Sequence, residues 1–253
     1  MHRLKDKAII VAGGGSGIGA ATALRLAAEG ASVVVGDLSR ERADAIARQI
    51  IANGGRAIGT AFDIADEASV RTLVDSAVNA YGGLDGIHVN AADLEAVLHD
   101  TDAVTVPMVI VDRTVAVNLR GHLLCTRLAI PLLLERGGGS IVYTSSGAAV
   151  MGEPSRIAYA ITKNGLHALL RHVASRWGKD GIRANAVAPG LVVTDAVRRA
   201  MPDEALAQVL AITRSPRLGT PEDIAAAVAF LMSKDGEWIN GQVLSVDGGV
   251  TMR

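Results

Sequence analysis

Short apolar runs alternate with longer amphipathic stretches from one end of the chain to the other. Ala8 to Ala12, Ser32 to Val35, Ala57 to Phe62, Gly86 to Val89, Ser140 to Thr144, Ala184 to Ala188 and Gln242 to Val246 read as strands. They are rich in Val, Ile and Ala without strict alternation, which suits strands buried on both faces. Helical periods lie between them. Val70, Leu73, Val74, Ala77, Val78 and Tyr81 share one helix face, with Asp66 as the expected N-cap and Gly82-Gly83 as the stop. Another helix opens at Thr220-Pro221-Glu222-Asp223, with proline at its first position and an acid at its third. Such alternation predicts an α/β fold, a doubly wound parallel sheet of about seven strands with helices on both faces. No linker, repeat or low-complexity stretch divides residues 1–253, so one domain is expected. The segment from Leu191 to Leu218 follows the sixth strand at the sheet edge where open α/β folds bind ligands, and it is the expected substrate lid.

Composition narrows the class. Aromatic residues make up 3% of the chain against 49% hydrophobic overall, so the core must be built from Ala, Val, Ile and Leu. A formal net charge of −1 gives no basic footprint for nucleic acid. Cys125 is the single cysteine, which excludes an intramolecular disulfide and points to a reducing, cytoplasmic setting; its apolar neighbours mark it as a small core residue. The six histidines form no HExxH or Cys/His pattern, so no metal is expected. Met1 to Lys7 followed by Ala8 to Ala12 superficially resembles a signal peptide, but the apolar stretch is short and runs into glycines. No apolar run is long enough to span a membrane.

Those glycines are the first candidate site. Gly13, Gly17 and Gly19 follow the first strand and open a helix expected from Ile18 to Glu29. Glycine lets backbone N–H groups approach a pyrophosphate, which the helix N-terminus attracts. The spacing is GxxxGxG, and taken alone it also describes a βα turn without a ligand. Asp37 ends the second strand, where a carboxylate accepts hydrogen bonds from ribose hydroxyls and repels a 2′-phosphate. Neither Ser16 nor Leu38 is basic, so NAD is favoured over NADP, with Arg40 the nearby cation that would compensate a phosphate. Asp37 also suits a capping role, which Ser39 fills equally well.

Tyr159 and Lys163 are four residues apart, one turn on the same helix face. An ammonium beside a phenol favours the phenolate and lowers a tyrosine pKa that is ordinarily about 10. The result is a proton donor and acceptor near neutral pH. Ser146 lies thirteen residues upstream of Tyr159, with Ser145 beside it. Taken singly, Tyr159 and Lys163 also suit a surface pair, Ser146 a strand-end hydroxyl and Asn118 a helix cap.

Together, in their order and spacing, the motifs resemble the short-chain dehydrogenase/reductase family from about Leu4 to Met252. The matching stretches are AGGGSGIG at Ala12 to Gly19, Asp63-Ile64 after the third strand and VNL around Asn118. The others are Ser146-x12-Tyr159-x3-Lys163, PGxxxT at Pro189 to Thr194 and VDGG at Val246 to Gly249. The resemblance implies a Rossmann-type fold and an NAD-dependent oxidoreductase interconverting a secondary alcohol and a ketone. The same pattern also resembles 3-oxoacyl-thioester reductases, and a non-catalytic dinucleotide sensor is a rival of another kind.

By resemblance, Tyr159 is the general acid/base and Lys163 holds the nicotinamide ribose while lowering the phenol pKa. Ser146 bonds the substrate oxygen, and Asn118 holds a water linking Lys163 to solvent. Gly13, Ser16, Gly17, Ile18 and Gly19 take the phosphates, and Asp37 with Leu38 the adenosine ribose end. Asp63 and Ile64 meet adenine, Asn90 and Ala91 lie along the cofactor, Val192 and Thr194 bind the carboxamide, and Pro189 and Gly190 are further cofactor contacts. One departure stands out: the family's Asn-Asn-Ala-Gly reads Asn90-Ala91-Ala92-Asp93 here. Asp93 is then either a polar substrate contact or, the preferred reading, a cap for the next turn.

The resemblance also implies a homotetramer. In it Gln242 to Val246 and the helix from Pro221 to Met232 meet their symmetry mates, and the helix from Tyr159 to Trp177 lies in a second interface. The stripe Leu166, Leu169, Leu170 and Val173 suits the core, a partner or both.

Overall fold

The structure is a computed structural model that describes residues 2–252. Seven parallel strands form one sheet: β1 (Ala8–Ala12), β2 (Ser32–Asp37), β3 (Arg56–Ala61), β4 (Gly86–Val89), β5 (Gly139–Thr144), β6 (Ile182–Pro189) and β7 (Val243–Val246). Their order is β3-β2-β1-β4-β5-β6-β7. The order reverses direction at β1, so the crevice between the C-terminal ends of β1 and β4 is the switch point where such sheets take ligands. Register follows directly from the pairing, with Ala12 opposite both Gly36 and Val89, and Thr144 opposite Val187.

The connecting helices are α1 (Gly17–Ala28), α2 (Arg40–Ala52), α3 (Glu67–Tyr81), α4 (Leu94–Val97), α5 (Met108–Val115), α6 (Gly121–Glu135) and α7 (Ile157–Trp177). Beyond β6 come α8 (Asp195–Ala200), α9 (Asp203–Ile212) and α10 (Pro221–Met232). Side chains of β1, β2, β5 and β6 pack with α1, α2 and α10 on one face, around Val11, Val33, Val35, Leu26, Ile50 and Val228. The opposite face carries α3, α6 and α7, around Ile10, Ile87, Ile141, Leu73, Leu133 and Leu170. β1, β2, β5 and β6 contribute to both, which is why their sequence runs are apolar without alternation.

Local signals act as their chemistry requires. Asp66 caps α3 by accepting from the N–H of Ala68, and Gly82 ends it at φ 76. Thr220 and Asp223 form a reciprocal capping box at the start of α10, with Pro221 at its first position. Boundaries differ modestly from the sequence reading: β2 continues through Asp37, β3 stops at Ala61, and β7 begins at Val243. The stripe on α7 faces inward: Leu166, Leu170 and Val173 are buried and belong to the core. Cys125 is buried too, and burial pushes its thiol up to about 12. Among the described residues no helix is long and apolar enough to cross a membrane.

Candidate active site

The C-terminal end of β1 turns sharply into α1. Gly13 has φ 87 and Gly17 φ 51, conformations that L side chains rarely adopt. Gly13 and Gly14 both donate to the carbonyl of Gly36, at 2.8 Å. A Cβ on Gly19 would lie 1.8 Å from the carbonyl oxygen of Gly13, so only glycine allows α1 to pack this close to the turn. Ser16 is the N-cap of α1 and contributes no side-chain cap, leaving the first-turn N–H groups to an anion.

Asp37 sits at the next corner, buried, with its carboxylate accepting from Gly15 N–H at 3.0 Å and Ser39 N–H at 2.9 Å. The Arg42 guanidinium adds a third bond at 2.8 Å. Arg40, the cation singled out from the sequence, turns instead to Asp44 at 2.8 Å, one turn along α2. Ser39 takes the capping role, accepting from Arg42 N–H. Leu38 is exposed beside Asp37 and offers an apolar surface. Asp63 caps its own turn by accepting from Ala65 N–H, and Ile64 is buried against Gly121, where a Cβ would come within 2.8 Å of it. A glycine-lined cradle, an uncapped helix start and a carboxylate at the end of β2 together fit a dinucleotide.

Asn90 donates to Gly13 O at 3.0 Å and accepts from the Thr144 hydroxyl at 2.9 Å. That side chain therefore fastens the ends of β1, β4 and β5 together although Ala91 carries no amide. Ala91 packs its backbone against Gly13, where a Cβ would lie 2.7 Å away. His88 completes the network with Nε2 at 2.8 Å from the same hydroxyl. Since Thr144 donates its one proton to Asn90, Nε2 of His88 is the donor. Burial holds the imidazole down near 3, hence neutral.

Tyr159 stands in the first turn of α7 and Lys163 one turn on, with the ammonium 5.6 Å from the phenol ring centroid. Lys163 is fully buried and donates to Thr144 O at 2.8 Å. Burial raises the phenol pKa of Tyr159, while a hydrogen bond with Ser146 and the Arg156 charge pull it the other way. The sequence expectation that Lys163 lowers the phenol pKa is thus not met in the protein alone. Its ammonium is aimed at the Thr144 carbonyl, and desolvation lowers its own pKa to about 8.

A stability signature follows from that burial. The unfolded chain holds the Lys163 proton up to its ordinary value of 10.5, while the folded chain releases it near 8. Between these values the unfolded state binds more protons, so the folded state gains stability as pH rises, and below the window the buried charge is a full cost. Lys163→Met is expected to melt higher than the unmodified protein at pH 7 without cofactor, with the gap closing as pH approaches 10. A lower Tm for the variant at pH 7 would mean that the bond to Thr144 outweighs desolvation.

Ser146 begins the turn after β5 and accepts from Ala148 N–H at 3.2 Å. Asn118 lies in a π-helical turn, Ala116–Arg120, inserted between α5 and α6. Such turns free backbone groups from the helical ladder and cluster at functional sites. Its Oδ1 accepts from Asp93 N–H at 3.0 Å, and its buried Nδ2 has no protein partner. Asp93 caps α4 through Ala96 N–H at 2.9 Å and is ion-paired with Arg113, which also reaches Glu95. This matches the capping reading of Asp93.

At the far wall, Pro189 closes β6 and Gly190 packs against Asp247, where a Cβ would meet its Cα at 2.9 Å. Val192 bridges to Gly219, pinning the two roots of the segment 191–218. Thr194 caps α8 and stands over the phosphate turn, its methyl 3.2 Å from where a Cβ on Gly17 would lie. Residues far apart in sequence thus converge at one sheet edge. Arg42 and Arg113 escaped the sequence reading, and Thr144 was read only as the end of a strand. Arg42 carried a sequence signal, a cation five residues after the Asp37 carboxylate.

Known proteins share this architecture. Residues 12–251 match the family model described as enoyl-(acyl carrier protein) reductase. The chain is 40% identical over 250 residues to a probable short-chain type dehydrogenase/reductase of Bradyrhizobium diazoefficiens, covering 99% of this chain and 89% of the relative. It is 39% identical to a 2,5-dichloro-2,5-cyclohexadiene-1,4-diol dehydrogenase of Sphingobium indicum, covering 99% of both. A solved 7α-hydroxysteroid dehydrogenase, complexed with NADH and 7-oxo glycochenodeoxycholic acid, superposes with a TM-score of 0.92. That alignment is at 34% identity over 98% of this chain and 95% of the other. The chain belongs to the short-chain dehydrogenase/reductase family.

Proposed function

We propose that this protein is an NAD-dependent oxidoreductase that interconverts a secondary alcohol and a ketone. The observation that carries the reading is the convergence of Ser146, Tyr159 and Lys163 beside a glycine-lined phosphate cradle ending at Asp37. When bound, NAD supplies hydride acceptance and NADH hydride donation. The chain supplies the rest. Tyr159 gives its proton to the ketone oxygen in reduction and takes it from the alcohol in oxidation, while Ser146 bonds the same substrate oxygen. Lys163 holds the nicotinamide ribose, and Asn118 holds a water that connects the lysine to solvent. Gly13, Ser16, Gly17, Ile18 and Gly19 bind the phosphates and Asp37 the adenosine ribose, with Leu38, Asp63 and Ile64 about adenine. Asn90, Ala91, Pro189, Gly190, Val192 and Thr194 line the nicotinamide end.

The substrate hydroxyl in this reading is borne on a six-membered carbocycle. Support comes from the ring alcohols and ketone in the names of the cyclohexadienediol and hydroxysteroid enzymes. A panel of cyclohexanols, decalols and linear secondary alcohols, followed by NADH absorbance, tests both parts. Ring alcohols are expected to lead in kcat/KM. A linear alcohol ahead of every ring would overturn the substrate class, and NADH binding without turnover on any of them would favour a sensor.

One domain carries this site, and residues 191–218 form its lid. Support for the lid comes from α8 and α9, neither of which buries any residue in the core. The working form is a cytoplasmic homotetramer. Trp238 is 98% exposed and Leu244 half-exposed near the β7 edge, while Leu123 and Ile161 are half-exposed on α6 and α7. Apolar groups at a sheet edge are usually covered. Light scattering is expected to give four chains per particle, and a monodisperse active monomer would refute the assembly.

A further inference from the structure

The helix that carries Tyr159 does not cap itself. Arg156, its N-cap residue, is left-handed at φ 60 and ψ 45 and offers no side-chain acceptor. The first intrahelical bond found is from Ala160 N–H to Arg156 O, so the three preceding donors need partners from elsewhere. All three find them in two consecutive residues of the wall between α4 and α5. Ile157 N–H donates to Thr101 O at 3.1 Å, Ala158 N–H to Asp100 Oδ1 at 3.2 Å, and Tyr159 N–H to Asp100 Oδ2 at 2.8 Å. Asp100 is buried, with 5% of its surface exposed, and a carboxylate at a helix N-terminus also complements the helix dipole. Its bond to Tyr159 is made to the backbone of the acid/base residue itself.

The wall also reaches the other end of the site. Asp93 N–H donates to Asn118 Oδ1 at 3.0 Å, and the Asp93 carboxylate starts α4, whose C-terminal turn continues through His99 to Asp100. Residues 93–101 therefore form a strap with one end on Asn118 and the other on Tyr159. We propose that Asp100 is a positioning residue: it sets where the Tyr159 phenol stands and ties that position, through the strap, to Asn118. The inference rests on the assignment of Tyr159 as acid/base. A displacement of about 1 Å in a reacting group can cost on the order of 10²-fold in rate, so capping from outside the helix matters for turnover as well as for stability.

The test compares Asp100→Ala with Asp100→Asn, which keeps one acceptor oxygen. Each is assayed for kcat and KM with a ring alcohol, NADH affinity by fluorescence, and Tm, at a temperature where both are folded. Asp100→Ala is expected to lose about 10- to 100-fold in kcat with NADH affinity within about twofold of the unmodified protein, and Asp100→Asn to recover part of the loss. A folded Asp100→Ala with lowered Tm and undiminished kcat would reduce Asp100 to a stability cap and overturn the proposal. If Asp100→Ala does not fold, Asp100→Asn decides: an unchanged kcat sinks the proposal, and a loss of about 3-fold or more at unchanged NADH affinity supports it. Full activity in Tyr159→Phe would instead remove the acid/base assignment, so the two failures are distinguishable.

Discussion

Tyr159→Phe is expected to lower kcat by about 10²–10⁴-fold, the usual contribution of a general acid/base, while leaving NADH affinity close to that of the unmodified protein. The substitution removes one hydroxyl; the cradle at Gly13 to Gly19 and the Asp37 carboxylate are untouched. The pH dependence carries the same assignment. Burial raises the phenol pKa, so in the protein alone the proton stays on Tyr159 through neutral pH, which suits donation to a ketone. Alcohol oxidation needs the phenolate, so its rate is expected to climb toward alkaline pH, and that climb should vanish in the residual activity of the variant. Near-normal turnover in Tyr159→Phe, or an unchanged alkaline rise, would remove the tyrosine from the reaction.

Cofactor choice is the second large effect. Asp37 is buried at the end of β2, and a 2′-phosphate placed there meets a like charge, which costs several kcal/mol at a close contact. NAD(H) is therefore expected to exceed NADP(H) in kcat/KM by about 10²–10³-fold. The Arg42 guanidinium, held on Asp37 at 2.8 Å, is released when the carboxylate goes. Asp37→Ala is expected both to lift the repulsion and to free a cation for the phosphate, narrowing the gap more than loss of repulsion alone. Asp37→Ala with Arg42→Ala should restore part of the preference for NAD(H). Direct titration of NADP+ binding to the three proteins separates these contributions from turnover, and an unmodified protein that binds NADP+ more tightly than NAD+ would refute the reading.

Much of the fold was legible because it is written in short-range patterns. Apolar runs of Val and Ile between glycine and polar stops located every strand to within two residues, and the Asp66 and Thr220 caps were readable from their own neighbourhoods. The candidate site was legible where a motif sets particular residues at fixed spacing, as with Gly13 to Gly19 or Tyr159 and Lys163, which the fold places at one sheet edge. What escaped was chemistry between distant segments. Asp100 and Tyr159 are 59 residues apart, and nothing local marks an aspartate as another element's cap. Pairing on α2 escaped for a related reason: Arg40 answers to its i+4 partner Asp44, while Arg42 faces back to the strand. The Lys163 expectation rested on spacing alone, which puts two side chains on one face but does not choose between a phenol and a carbonyl as the partner of the ammonium.

The strand order also shapes how the molecule is made. Residues 8–61 hold β1, β2 and β3, with β2 paired to both of the others, and these can assemble with α1 and α2 as soon as they are synthesised. The second edge of β1, carrying Ile9, Ile10 and Val11, has no neighbour until β4 appears at Gly86–Val89. Translation through the 28 residues from Phe62 to Val89 takes roughly 1–6 s at about 5–20 residues per second. For those seconds the nascent chain presents an apolar strand edge as a template for another polypeptide. Slowing elongation across α3, for instance with rare codons between Glu67 and Tyr81, should therefore shift product from the soluble to the aggregated fraction without changing a single amino acid.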